Sequence, residues 1–321
     1  MADTVVPEVD LDTVSANITR WHARFRRAGV QVRPHVKGHR CVEIARLQQA
    51  AGAKGIAVYT AREGHRYVDA GWSDIVIAHP WPHPWRWPRY AALARRARLA
   101  VHVDGAGMVD GLGRAAVAAG VRLGVRIVLD TGIGLPGVCP SDVAPLARHV
   151  MDTPGVLLDG VTGYAGLVDA DAAAERVALG RRTAQMLVEV AGRIRAEGLP
   201  CPVVAASGTP TAEGALTVPG ITEMCAGAYA LHDAGLADLG VCGMQDVAVS
   251  IRAGDAAVLE GTANPWSAPN EVSRPLSDGM LAPAHICPLV QRVRELQIVA
   301  AGREVARWRT VYEPDVTDDG A

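Results

Sequence analysis

The chain has 321 residues, 49% hydrophobic and 21% charged, with a formal net charge of -2. That balance supports a sizeable core, excludes a disordered chain and removes any electrostatic case for a nucleic-acid partner. No run approaches the roughly 18 apolar residues of a membrane span, the six cysteines are scattered singly, and Met1-Ala2-Asp3-Thr4 lacks a signal-peptide pattern, so a cytoplasmic protein is expected.

In chain order the apolar runs predict strands at Val30–Lys37, Gly55–Thr60, Asp74–His79, Leu99–Asp104, Leu123–Asp130, Leu157–Ala165, Pro202–Ser207 and Met224–Leu231. Helical patterns lie between most of them. Val42–Ala53 places Ile44, Leu47 and Ala51 on one face, and Ala170–Glu197 ends at Gly198-Leu199-Pro200. Eight strands alternating with helices predict an α/β fold, a (β/α)8 TIM barrel. After the third strand, His79–Pro88 holds three of the seven tryptophans and four prolines. Proline cannot feed a central strand, so a rigid loop is expected there, on the face where barrels carry their sites or packed against the second domain or another subunit. Beyond residue 240 the helices stop. Short strands are predicted at Val247–Ile251, Ala256–Leu259, His285–Val290 and Gln297–Ala300, giving a barrel over 1–240 and a C-terminal β domain over 241–321.

The first strand ends in Arg33-Pro34-His35-Val36-Lys37-Gly38-His39. If extended, it puts His35, Lys37 and His39 on one face. A lysine crowded by cationic groups and partly desolvated loses its proton easily and becomes an amine nucleophile that forms Schiff bases with aldehydes. The alternative is a solvated basic loop. Other strand ends carry Tyr164-Ala165-Gly166, Ser207-Gly208-Thr209-Pro210-Thr211 and Ala226-Gly227-Ala228-Tyr229. The last two follow strands seven and eight, the usual phosphate site of a barrel. A Schiff-base lysine opposite a phosphate cup describes a pyridoxal 5'-phosphate site.

Asp10-Leu11-Asp12-Thr13-Val14-Ser15-Ala16-Asn17-Ile18-Thr19, running on to Arg33–His39, resembles the D-threonine aldolase / D-serine dehydratase family, which has the alanine-racemase-like, fold-type III arrangement. The likeness continues through Ile44–Gln48, Ala51–Ile56, Asp69-Ala70-Gly71, Asp74–Ala78, Asp130-Thr131-Gly132, Ser207–Thr211, Thr222–Tyr229 and Asp233. It implies that Lys37 holds the cofactor and takes the substrate's α-proton. It implies further that Tyr164 lies near the cofactor and that Thr209, Gly227 and Ala228 bind its phosphate. His35, Ser207, Gly208 and Tyr229 complete the expected cofactor-binding set. It also implies a divalent metal late in the chain, at His285-Ile286-Cys287, where residues i and i+2 of a strand share a face. Imidazole and thiolate favour zinc, the ion of the water-eliminating members; the aldolases carry His-x-Asp.

Two positions depart from the family pattern: Leu135 stands where an arginine is usual, and Leu167 where a histidine follows Tyr-x-Gly. The latter histidine is the candidate base for retro-aldol cleavage. The expected activity is therefore a zinc-assisted, pyridoxal-phosphate-dependent dehydratase of a D-3-hydroxy amino acid. The rivals are an aldolase of β-hydroxy-α-amino acids and a non-catalytic cofactor carrier. Family members are commonly homodimers, which is the expected state here.

Overall fold

The computed structural model of the protein describes residues 5–166, 174–255, 273–276 and 279–311. A three-residue strand, β1 (Glu8–Asp10), opens the chain and feeds α1 (Leu11–Arg27). There follow β2 (Gln31–Pro34), α2 (Val42–Ala50), β3 (Ile56–Val58), α3 (Ala61–Asp69), β4 (Asp74–Ile77), α4 (Trp87–Ala94), β5 (Arg98–Val103), α5 (Ala106–Ala119), β6 (Leu123–Val128) and α6 (Val143–Asp152). After them come β7 (Val156–Tyr164), α7 (Arg176–Ala196), β8 (Val203–Ser207), α8 (Ala212–Ala215), β9 (Glu223–Ala226) and α9 (Ala234–Asp238). The C-terminal part holds β10 (Val249–Arg252), β11 (Arg274–Pro275), β12 (Met280–Ala282), α10 (Ile286–Val290), β13 (Glu295–Ala300) and β14 (Arg303–Arg309).

Strands β2 to β9 form one parallel sheet in the order β2-β9-β8-β7-β6-β5-β4-β3. A bridge between His35 and Ala57 brings β3 back to β2 and closes the expected barrel. Its strands are buried on both faces, as Ile75, Val76 and Ile77 illustrate, which is why they read as unbroken apolar runs. Helix α1 is capped by Asp10, whose Oδ1 accepts from the Thr13 amide at 2.7 Å. It buries Val14, Ile18, Trp21 and Phe25, one stripe at helical spacing. Truncating a buried ring such as Phe25 costs about 3–5 kcal/mol.

The second sheet runs β11-β12-β10-β1-β13-β14. β1, from the N-terminus, sits near its middle, antiparallel to β10 and parallel to β13, so this sheet is not built from residues beyond 240 alone. The strand expected at His285–Val290 is instead helix α10. Pro288 explains the change: it has no N–H for a strand ladder but is tolerated in the first turn of a helix. The strand expected at Ala256–Leu259 lies outside the described residues. The tryptophan loop also ends earlier than expected, because Trp87 and Pro88 begin α4 with proline in its first turn.

Toward the N-terminal ends of the barrel strands, three arginines and three carboxylates alternate in a closed ring. Arg33 pairs with Asp74 at 2.9 Å, and Asp74 with Arg98 at 3.1 Å. Arg98 pairs with Asp159, which pairs with Arg126 at 2.6 Å. Arg126 pairs with Glu223, which returns to Arg33 at 2.9 Å. Burial raises the pKa of the Glu223 carboxyl, but Arg126 and Arg33 outweigh it and hold the group below the usual carboxylate range. This ring seals the end of the barrel opposite the site.

Candidate active site

The site grows from the end of β2. Pro34 has no N–H, and the ladder to β9 resumes when the His35 amide donates to Ala226 O at 2.9 Å. The chain then leaves the sheet in a single 3-10 turn, Val36–Gly38. The turn breaks the expected alternation, so His35, Lys37 and His39 do not share a strand face. His39 is fully buried against α2, with Nε2 at 3.1 Å from Gln48 Oε1 and Nδ1 accepting from the Cys41 amide at 3.1 Å. Burial lowers its pKa to about 4. It packs beneath the turn rather than beside the lysine. His35 stays close: its Nδ1 accepts from the Lys37 amide at 3.4 Å, and burial, then the Lys37 charge, push its pKa well below the ordinary value.

Lys37 is half-buried at the C-terminal mouth of the barrel. Its neighbours reverse the expected pKa direction. Burial alone lowers it, but Cys287, Tyr164, Tyr59 and Cys225 outweigh burial and raise it. The anticipated cationic crowd does not form, because the adjacent imidazoles are neutral.

The turn at Lys37 lies directly against the turn after β9. A Cβ at Gly38 would stand 2.5 Å from Gly227 O, and a Cβ at Gly227 would stand 2.9 Å from His35 O. Only glycines at both positions let the two backbones meet. Beside them, the Ala228 amide donates to Thr209 Oγ1 at 3.2 Å, and Gly208 turns the chain at φ +108 after Ser207. The ring of Tyr164 covers this corner, since a Cβ at Gly208 would lie 3.0 Å from Tyr164 Cε2. Burial raises the Tyr164 pKa, and Lys37 opposes it. Lys37, Tyr164, Ser207, Gly208, Thr209, Gly227 and Ala228 are thus brought together. Tyr229 is not. It begins to wind away in the 3-10 turn Ala228–Ala230, is fully buried on Trp21 and Phe25, and bonds His22 Nε2 through its hydroxyl at 2.9 Å. It is a core residue, which corrects its expected place in the cofactor set.

Helix α10 packs on the Lys37 turn. Its N-cap is His285, and Cys287 occupies its first turn. The pair is therefore not on a strand face, but the extended N-cap folds the imidazole back onto the thiol. Burial raises the Cys287 pKa; a hydrogen bond from His285, the His285 charge and Lys37 outweigh it and lower it. Asp233 fixes this corner, accepting from the Leu236 amide at 2.8 Å through Oδ1 and from the Ile286 amide at 3.0 Å through Oδ2. An imidazole and an acidified thiol side by side can hold a soft divalent metal. Among the described residues no third His, Cys, Asp or Glu joins them, so other positions would go to substrate or solvent.

On the opposite wall, the tryptophan loop was expected on this face, but Tyr59 was missed in the sequence. The Tyr59 ring lies 5.9 Å from Lys37 Nζ. His79 stacks on Tyr59 at 5.2 Å, Trp81 meets His79 at 4.2 Å, and Trp81 Nε1 donates to Tyr59 O at 3.2 Å. The tryptophan loop therefore folds onto the site. Tyr59 is the first residue after β3 and His79 the second after β4, and that position at strand ends was the available signal. Leu135 is half-buried in the loop after β6, whereas Leu167 lies outside the described residues.

Comparison with known proteins agrees with this geometry. The family model for the alanine racemase N-terminal domain matches residues 9–261. The chain is 36% identical over 255 residues to the D-threo-3-hydroxyaspartate dehydratase of Delftia sp. (strain HT23), covering 78% of this chain and 67% of that one. It is 34% identical over 233 residues to a D-threonine aldolase of Arthrobacter sp., covering 72% and 62%. The solved structure of the Delftia dehydratase superposes with a TM-score of 0.83 over 97% of this chain and 98% of that one, at 28% identity. A cysteine-to-alanine mutant of that dehydratase, in its metal-free form, superposes with a TM-score of 0.85, covering 97% and 98% at 28% identity. The chain belongs to the alanine-racemase-like, fold-type III family.

Proposed function

We propose that the protein is a pyridoxal-phosphate- and zinc-dependent dehydratase of a D-3-hydroxy amino acid. The observation that carries this reading is the meeting of three features at one barrel mouth: Lys37, the Gly227-Ala228/Thr209 corner and the His285–Cys287 pair. The residues fit the cofactor. The Thr209 hydroxyl, which accepts from the Ala228 amide, offers its own hydrogen to a phosphate, Gly208 and Gly227 leave backbone room for its approach, and Lys37 is the amine for its aldehyde. The six-stranded second sheet and its metal corner favour an enzyme over a carrier. The D configuration is carried by the likeness to the relatives, the cytoplasmic reading by the singly scattered cysteines, and the homodimer by the family resemblance.

Bound pyridoxal phosphate supplies an electron sink for the substrate's α-carbon. Lys37 would hold the cofactor's aldehyde and, as a free amine, would take the substrate's α-proton, its half-buried position keeping that proton from bulk water. Tyr164 closes the corner over Gly208. His285 and Cys287 would hold zinc, which would supply Lewis acidity where the β-hydroxyl leaves. Loss of water and hydrolysis then give a keto acid and ammonia.

Aldol cleavage is the second reading, supported by the likeness to the Arthrobacter aldolase. Incubation with D-serine, D-threonine, D-3-hydroxyaspartate and D-phenylserine separates the two. Keto acid with ammonia supports the dehydratase. Aldehyde with glycine as the main products, abolished by Lys37→Ala, would replace it with the aldolase.

A further inference from the structure

Pyridoxal phosphate carries its aldehyde between two substituents, the phosphate arm on one side and a ring hydroxyl on the other. In this barrel the aldehyde's partner, Lys37, follows β2, and the phosphate corner follows β8 and β9 on one side of β2. The ring hydroxyl then falls toward the other side, where β3 and β4 end. The family pattern has an arginine in the loop after β6, where this chain has Leu135.

We infer that His79 is the residue that hydrogen-bonds the ring hydroxyl of the cofactor. This rests on the reading of Lys37 as the cofactor lysine. Four observations converge on His79. It is the second residue after β4, half-buried at the mouth. Its ring is held between Tyr59 at 5.2 Å and Trp81 at 4.2 Å, and Tyr59 itself faces Lys37 Nζ. Among the described residues it makes no side-chain hydrogen bond, so both ring nitrogens remain for a ligand. Finally, burial, Lys37 and Arg86 together lower its pKa to about 4, so at neutral pH it offers one N–H and one lone pair. Of the other neutral imidazoles in this space, His35 has its Nδ1 occupied by the Lys37 amide, and His102 is more buried and faces Arg126 and Glu223 of the charge ring.

This gives the tryptophan loop a function. Trp81 anchors to Tyr59 O and braces His79, and Arg86 stacks over Trp81 at 4.8 Å and Trp85 at 4.2 Å to hold the loop in place. The loop is the support that a cofactor contact from His79 requires.

The test titrates apoprotein with pyridoxal phosphate, following tryptophan fluorescence and the cofactor's absorption band. The variants are His79→Leu, His79→Gln and, on the exposed part of the same loop, His83→Gln. His79→Leu is expected to raise the cofactor dissociation constant about tenfold, the size of one lost hydrogen bond to a polar ligand group. Its absorption band should shift while borohydride still fixes the cofactor to Lys37. His79→Gln should recover part of the affinity, and His83→Gln should match the wild type. Wild-type affinity and an unshifted band in His79→Leu, with label still on Lys37, overturn this inference alone. Equal losses in His83→Gln also overturn it, since they mark a collapsed loop. Label on another lysine in the wild type overturns the parent reading.

Discussion

Gly38→Ala tests the seam on which the site depends. The added Cβ would lie 2.5 Å from Gly227 O, 2.7 Å from Gly227 C and 3.2 Å from Ala228 N. All three are backbone atoms, so no side chain can swing aside. The closest contact is roughly 0.9 Å short of ordinary van der Waals distance, and overpacking of this kind costs about 1–3 kcal/mol. Relief requires the Lys37 turn to separate from the phosphate corner, which strains the His35–Ala226 hydrogen bond at 2.9 Å. The cost therefore appears as a lower melting temperature, as weaker cofactor binding, or as both. At about 1.4 kcal/mol per decade, the cofactor dissociation constant should rise by roughly ten- to hundredfold if the turn moves. Circular-dichroism melting of the apoprotein and a pyridoxal phosphate titration read the two components. Gly192→Ala is the control: it lies inside α7 with nothing within 4 Å of the added methyl, and should be neutral or slightly stabilising. A Gly38→Ala protein with wild-type melting and wild-type cofactor affinity would refute the close-approach argument.

Three further outcomes are expected. Lys37→Ala should abolish borohydride fixation of the cofactor and lose turnover by several orders of magnitude, with phosphate-corner binding retained; peptide mass spectrometry reads the first and product assay the second. His285→Ala should lose stoichiometric zinc by metal analysis while keeping cofactor at Lys37, and Cys287→Asp should move the preference toward manganese, as a harder donor would; a fully active zinc-free wild type would contradict both. Glu223→Gln should cost about 3–5 kcal/mol in urea unfolding at neutral pH, because Arg126 and Arg33 lose a buried partner. Glu223 has a depressed folded pKa, so its contribution is present above the ordinary carboxylate range and is lost as pH falls through the folded value. The gap between wild type and variant should accordingly narrow on acidification.

The barrel was legible because its strands are buried on both sides and read as apolar runs, and the placing of Lys37 at the barrel mouth was legible because it follows the first of them. Other features were hidden for stated reasons. Glu8-Val9-Asp10 has no strand signal of its own and becomes a strand only through partners at Val249 and Ile298. Arg33, Arg126 and Glu223 look like solvent-facing charges until closure of the barrel turns them on one another. Tyr229 sits in the right motif, but one 3-10 turn rotates it into the core. His-x-Cys was read with a period of two, and Pro288 converts that segment to a helix. The spacing was misjudged, yet the two side chains still meet.

The position of β1 bears on how the chain is made. Its first ordered segment, Glu8–Asp10, has neighbours in β10 and β13, more than 230 residues later. During synthesis the whole barrel emerges before either partner strand exists, so both edges of β1 remain open while eight strands assemble beside it. Asp10, the last residue of β1, also caps α1, which ties the strand to the barrel's flank. The last strands then dock around the first. A nascent chain stalled near residue 240 should thus carry a folded barrel with one unpaired strand, and should be the species most prone to self-association.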